Sequence, residues 1–133
     1  MHYLHLKKII ANLDVFAPNI EVTIKNAFLR ELVIAALRAT TKVDEKFYLS
    51  KYRDVARAVA AGTSQSASDH FYETGYFENR LPRRYQVDED FYLTENPDVA
   101  KALREGKLRS CQDHFEVAGY AEGRNPFPGF KLF

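Results

Sequence analysis

Residues 43 to 86 laid over residues 87 to 130 match without a gap, every identity falling at a constant offset of 44 residues. Val43-Asp44-Glu45 meets Val87-Asp88-Glu89, Phe47-Tyr48-Leu49 meets Phe91-Tyr92-Leu93, and Asp54-Val55-Ala56 meets Asp98-Val99-Ala100. Ala58 and Gly62 recur as Ala102 and Gly106. Ser66, Asp69-His70-Phe71, Gly75-Tyr76, Glu78, Arg80 and Pro82 recur as Ser110, Asp113-His114-Phe115, Gly119-Tyr120, Glu122, Arg124 and Pro126. Duplication of one unit explains this register. What is kept in both copies is what the fold or a site needs.

Each copy reads as three short helices. Asp44 and Asp88 stand ahead of EKFYLS and EDFYLT as N-caps, where a carboxylate accepts from free backbone N–H groups and faces the positive end of the helix. In the later copy Asn96 is expected to cap the second helix, Pro97 takes its first position and Gly106 ends it. The earlier copy has Tyr52-Arg53 at those places, which predicts a looser start. Ser66 with Asp69, and Ser110 with Asp113, have capping-box spacing and open a third helix expected to end at Gly75 and Gly119.

Two further helical segments precede the repeats. Tyr3, Leu6, Ile9, Ile10 and Leu13 share one helical face, and Pro18 then breaks the chain. From Asn19 to Thr40 the apolar residues point around almost the whole circumference, and a helix apolar all round is buried all round. A second copy of the chain is the natural cover, with Ile24, Phe28, Val33, Ile34 and Leu37 at the interface of a dimer or tetramer. The expected fold is therefore all-α: two N-terminal helices followed by two tandem three-helix repeats. Residues 1–42 form the oligomerisation segment, 43–86 the first repeat, and 87–133 the second repeat with a C-terminal tail.

A chain of 133 residues can bury a core without disulfides or a metal. Cys111 is the only cysteine, so no intrachain disulfide forms and a reducing, cytoplasmic setting is expected. No stretch has the uninterrupted apolar run of a signal peptide or a membrane span, so no membrane insertion is expected. Residues 1 to 42 hold six Lys/Arg against three acids, and residues 87 to 133 hold six against nine, giving +3 and −3. Such polarity reads either as an aid to head-to-tail packing of subunits or, equally well, as an ordinary solvated surface. Neither segment has the single-sign stripe of a phosphate-binding surface, and nucleic acid is not an expected partner.

The strings FYLTENPDVAKAL and SCQDHFEVAGYAEGRNP, with their partners FYLSKYRDVARAVAAG and SASDHFYETGYFENRLP, resemble a bacterial module. Its pattern is FYL-x-x-NPDVA, a glycine, HF or HY, then G-x-x-EGR-x-P. It is similar to the repeats attached to glycosyltransferases of the rhamnan-synthesis type and to large secreted proteins with calcium-binding glycine-rich repeats. The resemblance covers residues 43 to 128, with departures at Arg53, where proline is usual, and at Asn79, where glycine is usual. It implies a polysaccharide or cell-surface context, with a glycosyltransferase or a polysaccharide as partner, and it implies no reaction.

His70 and His114 each follow an Asp and lie near a Glu and an Arg, yet no nucleophile or acid–base partner accompanies them at matched spacing. A structural role is expected, each imidazole bridging the third helix to the turn. Metal is disfavoured because no Cys or second His lies at ligand spacing, and no cofactor is expected. Glu78 with Arg80, and Glu122 with Arg124, read either as a clamp for sugar hydroxyls or carboxylates or as an ion pair that pins the turn. Tyr48, Tyr76, Tyr92 and Tyr120 read either as stacking platforms for sugars or as core. Asp88-Glu89-Asp90 lacks the loop of a calcium hand and reads as an acidic first turn. Cys111 aligns with Ala67 and is expected to be a buried small residue.

No catalytic residue is expected. The leading reading is a non-enzymatic, self-associating interaction or scaffold protein. The alternative is a carbohydrate-binding module with one weak site per repeat, at Tyr76, Glu78 and Arg80 and at Tyr120, Glu122 and Arg124. A third class, an enzyme or regulator using His70 and His114, has the least in the sequence to carry it.

Overall fold

The computed structural model describes residues 27 to 131. These are all-helical and contain no strand: seven α-helices and two π-helical turns. They divide into two compact units, one ending at Arg83 and the other spanning Arg84–Lys131. The expected first helix, over residues 3 to 13, lies outside the described residues, as does Ile24.

In unit 1, α1 spans Ala27–Thr40, α2 Glu45–Lys51, α3 Arg53–Ala60 and α4 Ala67–His70, which runs on as a π-helical turn over Phe71–Gly75. Unit 2 has the same succession: α5 Glu89–Glu95, α6 Pro97–Arg104, α7 Cys111–His114 and a π-helical turn over Phe115–Gly119. The caps are local. Asp44 Oδ1 accepts from Phe47 N–H at 2.9 Å and Asp88 Oδ1 from Phe91 N–H at 3.1 Å. Ser66 and Ser110 hydroxyls accept from Asp69 and Asp113 N–H, both at 3.0 Å. Each satisfies a backbone donor that the first turn leaves without a partner.

The two second helices have the same length, eight residues, so the looser start expected at Tyr52-Arg53 does not shorten α3. Neither Tyr52 nor Asn96 caps through its side chain. Asn96 instead donates from Nδ2 to the Tyr92 carbonyl at 2.7 Å, and Tyr52 Oη accepts from Leu81 N–H at 2.8 Å. Gly62 and Gly106 end these helices in the left-handed region, at φ of 73° and 69°.

The ends of the third helices differ from expectation. Gly75 and Gly119 do not have positive φ; the left-handed residues are Asn79, at 58°, and Gly123, at 75°, four positions later. Asn tolerates that region better than other side chains, which is why Asn79 can stand where the later copy has glycine. At Gly75 the constraint is space. A Cβ there would lie 2.0 Å from the Tyr48 hydroxyl, and at Gly119 2.2 Å from the Tyr92 hydroxyl.

Aromatic rings fill the interior of each unit. Tyr48 and Phe71 meet edge to face with centroids 6.0 Å apart, and Tyr92 and Phe115 repeat this at 6.1 Å. All four are fully buried, as are Val55 and Val99. Burying such a side chain is worth roughly 1.5–3 kcal/mol, so these recurring positions dominate the packing. Cys111 is buried, as is Ala67 at the equivalent place. Each unit also closes on itself: Asp44 N–H donates to the Pro82 carbonyl at 2.9 Å, and Asp88 N–H to the Pro126 carbonyl at 2.8 Å.

The boundary at Arg83 and Arg84 falls three residues before the repeat period. Tyr85 stacks on Tyr120, and Gln112 donates to the Tyr85 carbonyl and accepts from Val87 N–H, so the linker packs as part of unit 2. At the other side, α1 belongs to unit 1. It lies on the π-helical turn, with Arg38 paired to Asp69 at 2.6 Å and to Glu73 at 2.9 Å, and with Arg30 bonded to the Glu73 carbonyl and stacked over Phe77. Leu37, expected on an oligomer interface, is instead fully buried inside this unit. The helix is apolar on two sides, and one of them is covered by its own repeat.

Candidate functional site

The polar residues retained in both copies converge on one constellation per unit. α2 brings Tyr48, α4 brings His70, the start of α3 brings Asp54, and the turn after the π segment brings Glu78 and Arg80. In unit 2 the same places hold Tyr92, His114, Asp98, Glu122 and Arg124.

The Tyr48 hydroxyl and His70 Nδ1 share a hydrogen bond of 3.1 Å, and Tyr92 and His114 share one of 3.0 Å. Both phenols are held in the protonated form: burial pushes the Tyr92 hydroxyl up to about 12 and Tyr48 higher still, against the pull of Arg124 and Arg80. Burial also lowers the pKa of His70, and the charge of Arg80 adds to this. In both units the bond joins the helix that carries the histidine to the helix that carries the tyrosine. Each partner satisfies a polar atom that would otherwise be lost to the core.

The guanidinium groups are enclosed by acceptors of their own unit. Arg80 Nε donates to Glu78 at 2.7 Å, while its terminal nitrogens reach both Asp54 oxygens, at 3.1 and 2.8 Å. Arg124 Nε donates to Glu122 at 2.6 Å, and its terminal nitrogens bond Asp98 at 2.9 and 2.7 Å and the Asn96 amide oxygen at 2.7 Å. These bidentate pairs hold the Asp54 and Asp98 carboxyls down at about 2, the side-chain hydrogen bond to arginine being the main cause. The planar fork needed to clamp a sugar carboxylate is thus already occupied, and the ion-pair reading of Glu78–Arg80 and Glu122–Arg124 is the one this geometry fits.

Tyr76 and Tyr120, weighed as stacking platforms, are 2% and 3% exposed. Tyr76 packs against Phe71 and Phe77, and Tyr120 against Phe115 and Tyr85, so neither ring face is open to a sugar. Glu78 and Glu122 remain half-exposed at the rim. Of the expected interface residues, Val33 and Ile34 are partly exposed on α1, and Phe28 lies in its first turn.

Two kinds of partner per unit are not legible in the chain: Asp54 and Asp98 as anchors of the arginines, and Tyr48 and Tyr92 as partners of the histidines. The available signal was the shared offset itself, because all ten residues recur together. Among the described residues no group of three or more His, Cys, Asp or Glu side chains could hold a metal ion, and no helix is long and apolar enough to cross a membrane. No protein-family model, no curated protein and no solved structure matches this chain.

Proposed function

We propose that this chain is a non-enzymatic, self-associating scaffold built from two N-terminal helices followed by two tandem three-helix repeats, acting in a bacterial polysaccharide context in the cytoplasm. The observation that carries the reading is that the repeated His, Tyr, Asp, Glu and Arg side chains bond one another. A duplicated polar set whose members satisfy one another fits a framework that presents a surface. The polysaccharide setting rests on the resemblance of residues 43 to 128 to the module of rhamnan-synthesis-type glycosyltransferases. Light scattering on size-exclusion fractions tests self-association: a mass that stays at 15.3 kDa up to near-millimolar concentration refutes it.

A second reading, weak carbohydrate binding, has one observation in its favour. A polar groove of about 460 Å³ opens in unit 1, lined by Arg30, Glu31, Ile34, Arg38, Glu73 and Thr74. Its arginines are paired, as Arg80 and Arg124 are, so the exposed Glu31 and Thr74 would supply the contacts to a polyhydroxylated ligand. Chemical-shift mapping with neutral and acidic oligosaccharides decides this reading, with shifts at Arg30 and Thr74 expected and none at millimolar sugar refuting it.

A further inference from the structure

Among the described residues, the two large apolar side chains left exposed are Leu32, at 51%, and Val117, at 77%. Leu32 lies on α1 in a stripe with Ala35, Ala36 and Ala39, all exposed and spaced to form one helical face. This face carries no charge and lies away from Leu37, which is buried against the repeat.

Val117 has an informative counterpart. At the constant offset it corresponds to Glu73, Asp113 corresponds to Asp69, and Ala121 to Phe77. In unit 1 those three residues receive α1: Asp69 and Glu73 take Arg38, and Phe77 takes Arg30. In unit 2 the same face presents Asp113, Val117 and Ala121, all exposed. The duplicated unit therefore has a face on which a helix lies in one copy, and in the other copy that face is exposed, with Val117 and Ala121 beside the acid Asp113.

We infer that the outer face of α1 in one molecule docks on the Val117 face of unit 2 in the next, so that the protein assembles head to tail. This inference rests on the self-association reading and specifies its geometry. A twofold contact between two α1 helices would cover Leu32 and leave Val117 in water; a twofold contact between two Val117 faces would do the reverse. The heterologous contact covers both. Charge favours it as well, since residues 1 to 42 carry +3 and residues 87 to 133 carry −3. Small side chains on both faces, Ala35, Ala36 and Ala39 on α1 and Ala118 and Ala121 beside Val117, would allow close approach. A heterologous contact repeats until it closes into a ring or continues as a filament.

Complementation tests the arrangement in the full chain. Leu32→Glu and Val117→Glu each replace an exposed side chain, and circular dichroism verifies that both remain helical; Leu32→Gln and Val117→Ser repeat the test with smaller changes. The wild-type mass is expected to rise with concentration, and each variant alone to stay at 15.3 kDa. An equimolar mixture of the two variants is expected to give a 1:1 dimer and nothing larger, because one intact α1 face then meets one intact Val117 face. If the Val117 variants assemble like wild type, or if the mixture stays monomeric while wild type assembles, the head-to-tail contact is refuted and self-association stands. A wild-type chain that is monomeric throughout refutes both.

Discussion

Gly75→Ala sets two effects against each other with opposite signs. Gly75 lies within a helical segment at negative φ, where alanine is the better residue by about 1 kcal/mol on propensity alone. The added Cβ, however, falls 2.0 Å from the Tyr48 hydroxyl and 3.3 Å from its ring carbon. Tyr48 is fully buried between Tyr52 and Phe71, so its ring cannot swing aside. Overpacking of this kind costs about 1–3 kcal/mol, and losing the bond to His70 adds roughly 1 kcal/mol. The clash wins, with a net loss of about 1–3 kcal/mol. In urea unfolding followed by far-UV circular dichroism, the midpoint should fall by roughly 1 M. Tyr48→Phe removes the clashing oxygen, so the double variant should lose less than the two single losses combined, by about 1 kcal/mol or more. Gly62→Ala is the control: its φ of 73° makes it costly, but nothing lies within 4 Å, and Tyr48→Phe should not rescue it. A Gly75→Ala protein as stable as wild type, or one made worse than additively by Tyr48→Phe, refutes the reasoning.

Leu37→Ala should cost about 2–4 kcal/mol by chemical denaturation, because the side chain is fully buried in unit 1, whereas Leu32→Ala should stay within about 0.5 kcal/mol. Equal losses would show that α1 is turned otherwise. His70→Ala leaves the buried Tyr48 hydroxyl without its hydrogen-bond partner and should lower stability by about 1–3 kcal/mol while glycan or partner titrations stay unchanged. The Asp54 and Asp98 carboxyls, depressed from 3.8 to about 2, contribute stability that is complete above 3.8 and lost as pH falls toward 2. Both are more than half exposed, so solvent screening limits each to under about 1 kcal/mol, and a carboxyl resonance of Asp98 that titrates at 3.8 contradicts the pairing. Ser110→Ala should cost about 1 kcal/mol through loss of the cap on Asp113 N–H, read as a lower thermal midpoint.

What could be read from the chain divides by the reach of the interaction. Asp44, Ser66, Asp88 and Ser110 cap helices that begin at the next residue, so spacing alone locates them. Asn96 has the right type and place for a cap, yet its amide oxygen serves Arg124, far along the chain. Gly75 and Gly119 look like helix-ending glycines, but their cause is a tyrosine on another helix, which no local pattern reveals. The π-helical turns use the same residue types as an α-helix and differ only in hydrogen-bond register, with Tyr76 N–H on the Phe71 carbonyl. Apolar periodicity predicts cover on more than one side of α1 but not which stripe faces the repeat; the structure covers the Leu37 side and leaves Leu32 exposed. The tyrosines show why composition misleads about a site: Tyr76 and Tyr120 recur because they fill the interior, and recurrence alone cannot separate packing from recognition.

The single hydrogen bond that joins Asp44 to Pro82, and its twin between Asp88 and Pro126, has a consequence for how such a chain can lengthen. A segment whose first amide meets its last carbonyl begins and ends at nearly the same point in space. It can be copied or spliced into a host loop with little displacement of the flanking backbone, as closely spaced termini permit. Growth by whole cassettes of 44 residues would preserve every internal contact, whereas adding or removing a few residues within a cassette would separate Gly75 from Tyr48. The gapless register between the two copies is the record expected of a molecule that tolerates multiplication of its unit far better than alteration of its length.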